Sequence, residues 1–334
     1  MSKNKSIPPK PLVLGLDLGG SKISTAVVNR QGEMLSRDHS LTPAARGPEA
    51  VIKAMVESMS TALSRASLTT AQLEAISIGA PGLSNPETGV VFTSPHLPGW
   101  QDVPLKQIIE DKMGVRTLLI NDANAAALGE MYFGAAKGAR NFICITFGTG
   151  IGGGIVIDGN IYAGSLGTAG EIGHMTIDTN GPRCDCGNTG CWETLASGTA
   201  LAREAKQRIA AGAETSILAQ AAGDIDKVTA EVVHAAARQG DALAKELIAQ
   251  ISYYIGIGLA NLINIFNPEL MVIGGGLSNI GDMLLEPAYR LAGKRAYQAA
   301  FNCVRFARAQ LGGNSGVIGA AVYAFREIEK ARRK

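Results

Sequence analysis

Residues 171–193 read EIGHMTIDTNGPRCDCGNTGCWE, and within them His174, Cys184, Cys186 and Cys191 offer one imidazole and three thiolates. Such a set suits tetrahedral zinc, because soft sulfur favours zinc over magnesium or calcium. Gly181, Pro182, Gly187 and Gly190 interrupt the segment and let it wrap a single ion. With four protein ligands the site is expected to be closed and structural, leaving no open position at which to activate water. The other two cysteines, Cys144 and Cys303, lie far off along the chain. The opening MSKNKSIPPKP shows neither the apolar stretch nor the cleavage site of a secretory signal, so metal is favoured over disulfides and a cytoplasmic location is expected.

The second chemical candidate is a carboxylate. NDANAAALGE (121–130) follows the apolar run RTLLI and opens an alanine-rich helix. Asp122 then stands at the carboxyl end of a strand, where open α/β sheets bind their ligands. A plain helix N-cap would use the same residue type in the same place.

Two glycine hairpins supply the third. LDLGGSKIS (16–24) and TFGTGIGGGI (146–155) each carry a small hydroxyl residue, Ser21 and Thr149. Bare backbone N–H groups in such turns can cradle phosphate oxygens. One hairpin alone is an ordinary β-turn; two in matching places favour a nucleotide phosphate. Gly148, Gly150 and Gly153 also satisfy the dinucleotide pattern GxGxxG. That pattern requires a helix directly afterwards, whereas IVIDG and NIYAG continue as a β-hairpin. No GxxxxGK[ST] occurs, which excludes a P-loop.

The elements that position these groups are readable from periodicity. LVLGLD, ISTAVVN and EMLSRD form three strands over 12–38, and Val51, Ile52, Met55, Val56, Met59 and Leu63 mark an amphipathic helix over about 49–66. AISIGAPG (75–82) and RTLLIND (116–122) are buried strands. The scheme restarts with NFICITFG, GIVIDG and NIYAG, helices follow from about 198, and ELMVIG (269–274) is a strand entering another glycine loop. The chain thus reads as two similar α/β lobes, each offering a glycine hairpin towards a shared cleft. The uncharged run Leu247 to Pro268 is long enough to span a bilayer, but Gln250, Ser252, Asn261, Asn264 and Asn267 make it a buried core helix instead.

Composition agrees. The 334 residues suit about two domains, and 46% hydrophobic residues exclude global disorder. A formal net charge of +2 suggests neither a nucleic-acid nor a membrane-surface partner. Glycine is abundant, at 41 residues, and is spread over several loops as expected where backbone approaches ligands.

Taken together, DLGGSK, GAPG, NDANAAALGE, FGTGIGGG, EIGH followed by CDCGNTGCWE, and IGGGLS resemble the ROK family (repressors, open-reading-frame proteins and kinases), in its glucokinase branch. The resemblance runs from about Leu12 to Ala324, and its EIGH…CxCGxxGCxE segment is the most specific part. It implies a two-lobed actin-like ATPase (ribonuclease H-like) fold with a zinc-binding loop. One lobe would span 1–121 and be completed by a C-terminal helix at 317–334. The other would span 122–316 and carry the zinc segment 174–191.

The resemblance also implies ATP-dependent phosphorylation of a hexose, with ATP, Mg2+ and a structural Zn2+, in a homodimer or homotetramer. Asp122 looks like the catalytic base and Asn121 like its sugar-binding neighbour. Glu171, His174 and Glu193 match residues that hold sugar hydroxyls, with Gly82 bordering the sugar. Zinc on one ring nitrogen of His174 would turn the other towards the sugar. Asp17, Gly19, Gly20 and Lys22 match the first phosphate loop, Thr149, Gly150 and Gly152 the second, and Gly275 and Gly276 a loop bordering the adenosine. His96, in SPHLPGW (94–100), stands where the family more often has Asn, and is read as a solvated loop histidine.

The residue types suit that chemistry. A carboxylate can accept the proton of a sugar hydroxyl as the P–O bond forms, typically worth about 10²–10⁴-fold. Asp17 suits Mg2+, directly or through its waters. D-Glucose at its 6-hydroxyl is the expected acceptor; fructose, allose and N-acetylmannosamine are alternatives within the same motifs. A sugar-responsive repressor would need a DNA-binding domain ahead of DLGG, where about fifteen residues stand. An actin-like filament protein would lack the EIGH–zinc segment and the ND pair.

Overall fold

A computed structural model describes residues 11–94 and 97–333; His96 lies outside the described residues. The chain opens as a meander of β1 (Leu12–Leu18), β2 (Lys22–Asn29) and β3 (Met34–Leu41). Helix α1 (Pro48–Arg65) buries Val51, Ile52, Met55, Met59 and Leu63, the stripe expected from the sequence. Then come β4 (Leu73–Ala80), β5 (Leu83–Asn85), β6 (Val90–Thr93), β7 (Gln101–Val103), α2 (Leu105–Met113), β8 (Thr117–Asn121) and α3 (Asp122–Phe133). The second series is β9 (Phe142–Phe147), β10 (Ile151–Ile157), β11 (Asn160–Ile161), α4 (Trp192–Ala196), α5 (Gly198–Ala210), α6 (Ile217–Gln220), α7 (Ala230–Arg238), α8 (Ala242–Phe266), β12 (Leu270–Gly274), α9 (Asp282–Arg295), α10 (Gln298–Cys303) and β13 (Arg305–Arg308). Helix α11 (Ser315–Arg333) closes the chain.

Two five-stranded sheets result, ordered β3-β2-β1-β4-β8 and β11-β10-β9-β12-β13. In each, the opening hairpin strands pair antiparallel and the next two strands add in parallel. The paired glycine hairpins of the sequence are thus the first turns of two sheets of one topology. The central strands are buried along most of their length, as expected when helices cover both faces.

Of the described residues, the first compact unit comprises those up to Lys137 together with 163–169 and 313–333; the second comprises 138–162 and 170–312. The division therefore falls after α3, and the expected break at 121/122 is displaced. The reason is close helix packing between α3 and α11. A Cβ on Gly129 would collide with the Ser315 carbonyl, and one on Gly319 with the Ala125 carbonyl. Only glycine permits that approach, which ties α3 to the first unit.

Helix α8 is, among the described residues, the one helix long and apolar enough to cross a membrane. Leu247, Ile251, Ile255, Leu259 and Ile263 are instead buried in the second unit's core. The Ser252 hydroxyl within it donates to the Leu284 carbonyl at 2.6 Å, so its polar group is satisfied internally.

Candidate active site and metal centre

In the first unit the candidate residues gather at the carboxyl ends of β1, β4 and β8. Asp17 pairs with Gly79, and Ala80 with Asn121, so the three strand ends lie side by side. The hairpin after Asp17 is fixed by its own backbone: Gly19 N–H donates to the Lys22 carbonyl at 2.9 Å. Thr42 braces it from β3's end, donating its hydroxyl to the Gly19 carbonyl at 2.7 Å and its N–H to the Ser21 carbonyl at 3.0 Å. Thr42 is a supporting residue that no sequence motif singles out. Gly20 is half-buried in the turn, Lys22 is exposed at the start of β2, and Gly82 sits with its backbone against Thr93 and Ser94. The Asp17 carboxyl keeps a partly exposed edge but is otherwise crowded by protein; Gly316 at the start of α11 lies against it. Burial pushes it up to about 6, with the Lys22 ammonium pulling the other way.

At the end of β8 the division of labour differs from the simplest expectation. Asn121, not Asp122, is the N-cap of α3: its side-chain oxygen accepts from Ala123 N–H at 3.0 Å and Asn124 N–H at 3.1 Å. That leaves the Asn121 amide NH2 as the group able to meet a ligand. Asp122 is the first helical residue, half-buried, with one oxygen accepting Ala123 N–H at 2.8 Å.

The second unit holds the remaining candidates. Its hairpin is closed by Gly148 N–H donating to the Gly150 carbonyl at 2.9 Å. Gly198 N–H donates to the Gly148 carbonyl at 2.8 Å and the Thr199 hydroxyl to the Thr149 carbonyl at 2.8 Å. Thr149 is exposed at the tip, Gly152 pairs with Thr146, Gly275 sits against the Phe147 carbonyl, and Gly276 has open space on its side-chain face. Glu193 is already engaged: one carboxylate oxygen accepts Ile151 N–H at 2.8 Å and lies where a Cβ of residue 150 would be.

Glu171 precedes a short 3-10 turn, Ile172–His174, which places its carboxylate 4.0 Å from His174 Nε2. Burial pushes Glu171 up, the His174 ring opposes that, and the nearby Glu193 carboxylate adds to the rise. The other ring nitrogen of His174 faces sulfur.

His174 Nδ1 and the three thiol sulfurs of Cys184, Cys186 and Cys191 all lie within 4.8 Å of one another. Tetrahedral zinc, with Zn–S near 2.3 Å and Zn–N near 2.0–2.1 Å, sets its ligand atoms about 3.5–3.8 Å apart. The Cys184 Sγ–His174 Nδ1 separation is 3.6 Å and Cys186 Sγ–Cys191 Sγ is 3.7 Å, so the donor set fits zinc. The backbone is shaped for it: Thr176 and Cys191 form an isolated β-bridge, and Gly187 N–H donates to the Cys184 carbonyl at 2.9 Å. Trp192 anchors the segment. Its ring is fully buried, its N–H donates to the Tyr254 carbonyl at 2.9 Å, and it meets Phe147 edge-on with centroids 5.6 Å apart.

The sequence profile of the ROK family matches residues 13–327. The chain belongs to the ROK family. This ROK protein is 39% identical over 313 residues to a glucokinase of Streptomyces coelicolor, covering 93% of this chain and 96% of that one. It is 36% identical over 308 residues to a putative xylose repressor of Caldicellulosiruptor sp., covering 92% of this chain and 76% of the repressor. Among solved structures, a ROK family glucokinase from Streptomyces griseus in complex with glucose and AMPPNP matches with a TM-score of 0.84 at 36% identity, covering 94% of this chain and 99% of that chain. The mixed α/β fold of this ROK protein is the one those glucokinases have.

Proposed function

We propose that this chain is a glucokinase, transferring the γ-phosphoryl group of Mg·ATP to the 6-hydroxyl of D-glucose. The observation that carries the reading is the strand end at Asn121–Asp122. Asn121 caps α3, and Asp122 beside it stands at the end of the strand, where its carboxylate would act as general base. Similarity to glucokinases over nearly the whole chain supports the same reading.

Asp122 takes the proton of the attacking hydroxyl as the new P–O bond forms. The Asn121 amide NH2, Glu171, His174 Nε2 and the second oxygen of Glu193 meet the sugar's other hydroxyls, with Gly82 lining the sugar. A site built from such groups rejects sugars that leave them without partners. N–H groups of Gly20, Thr149 and Gly150, with the Lys22 ammonium, hold phosphate oxygens, while Gly19, whose own N–H closes the first turn, and Gly152 let the backbone come close to them. Asp17 binds Mg2+ directly or through its waters, and Gly275 and Gly276 border the adenosine.

The resident metal is zinc, held by His174 Nδ1, Cys184, Cys186 and Cys191, and it supplies no chemistry beyond fixing the loop and the imidazole. With Nδ1 on the metal, Nε2 would carry the proton and face Glu171, 4.0 Å away, and the sugar. The working form is a cytoplasmic homodimer or homotetramer without nucleic acid or membrane. The test is ADP release measured over glucose, fructose, allose and N-acetylmannosamine. Turnover with glucose supports the kinase, and a win for another hexose reassigns only the sugar. Similarity to the xylose repressor favours a second reading, a sugar-sensing regulator; that reading takes over if the chain binds sugar yet releases no ADP with any of them.

A further inference from the structure

We propose that Glu193 is a positioning residue for the second phosphate hairpin, linking the metal-binding segment to the backbone that holds ATP. This rests on the kinase reading above and extends the sugar-binding role that resemblance gives to Glu193. Three consecutive residues carry three separate tasks. Cys191 is a member of the metal cluster. Trp192 is locked in the core through Tyr254 and Phe147, and Phe147 is the last residue of β9 before the hairpin. Glu193 reaches the hairpin itself, accepting Ile151 N–H at 2.8 Å.

Gly150 makes room for that contact, since any side chain there would occupy the position of the carboxylate. The hairpin therefore has three braces, Gly198 N–H on the Gly148 carbonyl, the Thr199 hydroxyl on the Thr149 carbonyl and Glu193 on Ile151 N–H. Glu193 is the one brace that accepts from the strand after the turn, and it needs only an acceptor oxygen at that place to do so. Through one oxygen it fixes the orientation of the peptide units that face phosphate, which is preorganisation rather than direct contact. The other oxygen remains for the sugar.

The test separates the two oxygens. Glu193→Gln keeps a carbonyl oxygen able to accept Ile151 N–H but loses the second acceptor, whereas Glu193→Ala loses both. Binding of a non-hydrolysable ATP analogue is measured without sugar, and glucose binding without nucleotide. The expected result is analogue binding weakened about tenfold in Glu193→Ala and within about twofold of wild type in Glu193→Gln, with glucose binding weakened in both. Hydrogen exchange at the Ile151 amide, read in the nucleotide-free protein, should speed up in Glu193→Ala and not in Glu193→Gln. If Glu193→Ala fails to fold, Glu193→Asp replaces it, because the shorter side chain withdraws the carboxylate while keeping its charge. Unchanged analogue affinity in the Ala or Asp variant, or Ile151 exchange equal to wild type, overturns the proposal. A wild-type chain that binds no ATP analogue would sink the kinase reading instead, and the exchange result would still decide the brace.

Discussion

The two units solve one topological problem with different side chains. Each begins with a hairpin whose first strand is flanked by a parallel neighbour. Asp17 pairs with Gly79 in β4 as Thr146 pairs with Gly274 in β12, so Thr146 is the positional counterpart of Asp17. The first hairpin thus places a carboxyl at its strand end and Lys22 just beyond its turn, both of its own chain segment. The second has no charge of its own and borrows one, from Glu193, through the backbone of Ile151. The lesson is that the shared part of the fold is the turn and its exposed N–H groups; charge is added separately to each. A carboxyl added inside the strand end, as at Asp17, is costly to ionise.

The sharpest break in that symmetry is the titration of Asp17. Its carboxyl is raised from 3.8 to about 6, so the native state holds the proton more tightly than the unfolded chain. The resulting penalty on the native state is absent below about pH 4, grows between pH 4 and 6, and is fully present above. A rise of that size corresponds to about 3 kcal/mol. Asp17→Asn should therefore be more stable than wild type by about that amount at pH 7.5 and equal to it near pH 4, in denaturant titrations without nucleotide. Thr146→Val, at the matching position, should show no such pH dependence. A stability gain that is the same at both pH values would remove the burial argument.

The next effect is on turnover. Asp122→Asn keeps an oxygen to accept Ala123 N–H, so folding and sugar binding should survive while kcat falls at least about a hundredfold, near 2.7 kcal/mol. Near wild-type kcat would return Asp122 to a purely helical role. The metal centre distinguishes the second unit, which alone among the described residues carries such a cluster. Protein purified without added zinc should contain one zinc per chain, and Cys184→Ser should bind it at least about tenfold more weakly, with a lower melting temperature and weaker glucose binding. Metal analysis that finds no zinc in fully active protein contradicts this.

Much of this contrast between the units is legible in the sequence. The two glycine hairpins, the gathering of His174, Cys184, Cys186 and Cys191, and the strand ahead of Asp122 are local patterns, and local spacing reports them faithfully. What stays hidden depends on contacts distant in sequence. The α3–α11 packing that moves the division past residue 121 relies on Gly129 and Gly319 meeting across 190 residues of sequence, a match that no periodicity reveals. The small sheet β5-β6-β7 and the edge strand β13 escape because they run for only three or four residues. At the site, the pairing ND does not say which residue caps the helix; the answer needs the side-chain angle of Asn121. Glu193 is readable as a sugar ligand by resemblance, but its bond to Ile151 spans 42 residues and only the fold brings it about.

The proposed function finally bears on the sugar through Asn121, Asp122, Glu171, His174 and Glu193. The central claim is that this set is matched to glucose, and the direct measurement is kcat/KM for glucose, fructose and N-acetylmannosamine at fixed Mg·ATP. Glucose should lead by at least about tenfold, a difference of roughly 1.4 kcal/mol in transition-state binding. A lead for either competitor, or no phosphorylation of any of the three, would contradict it.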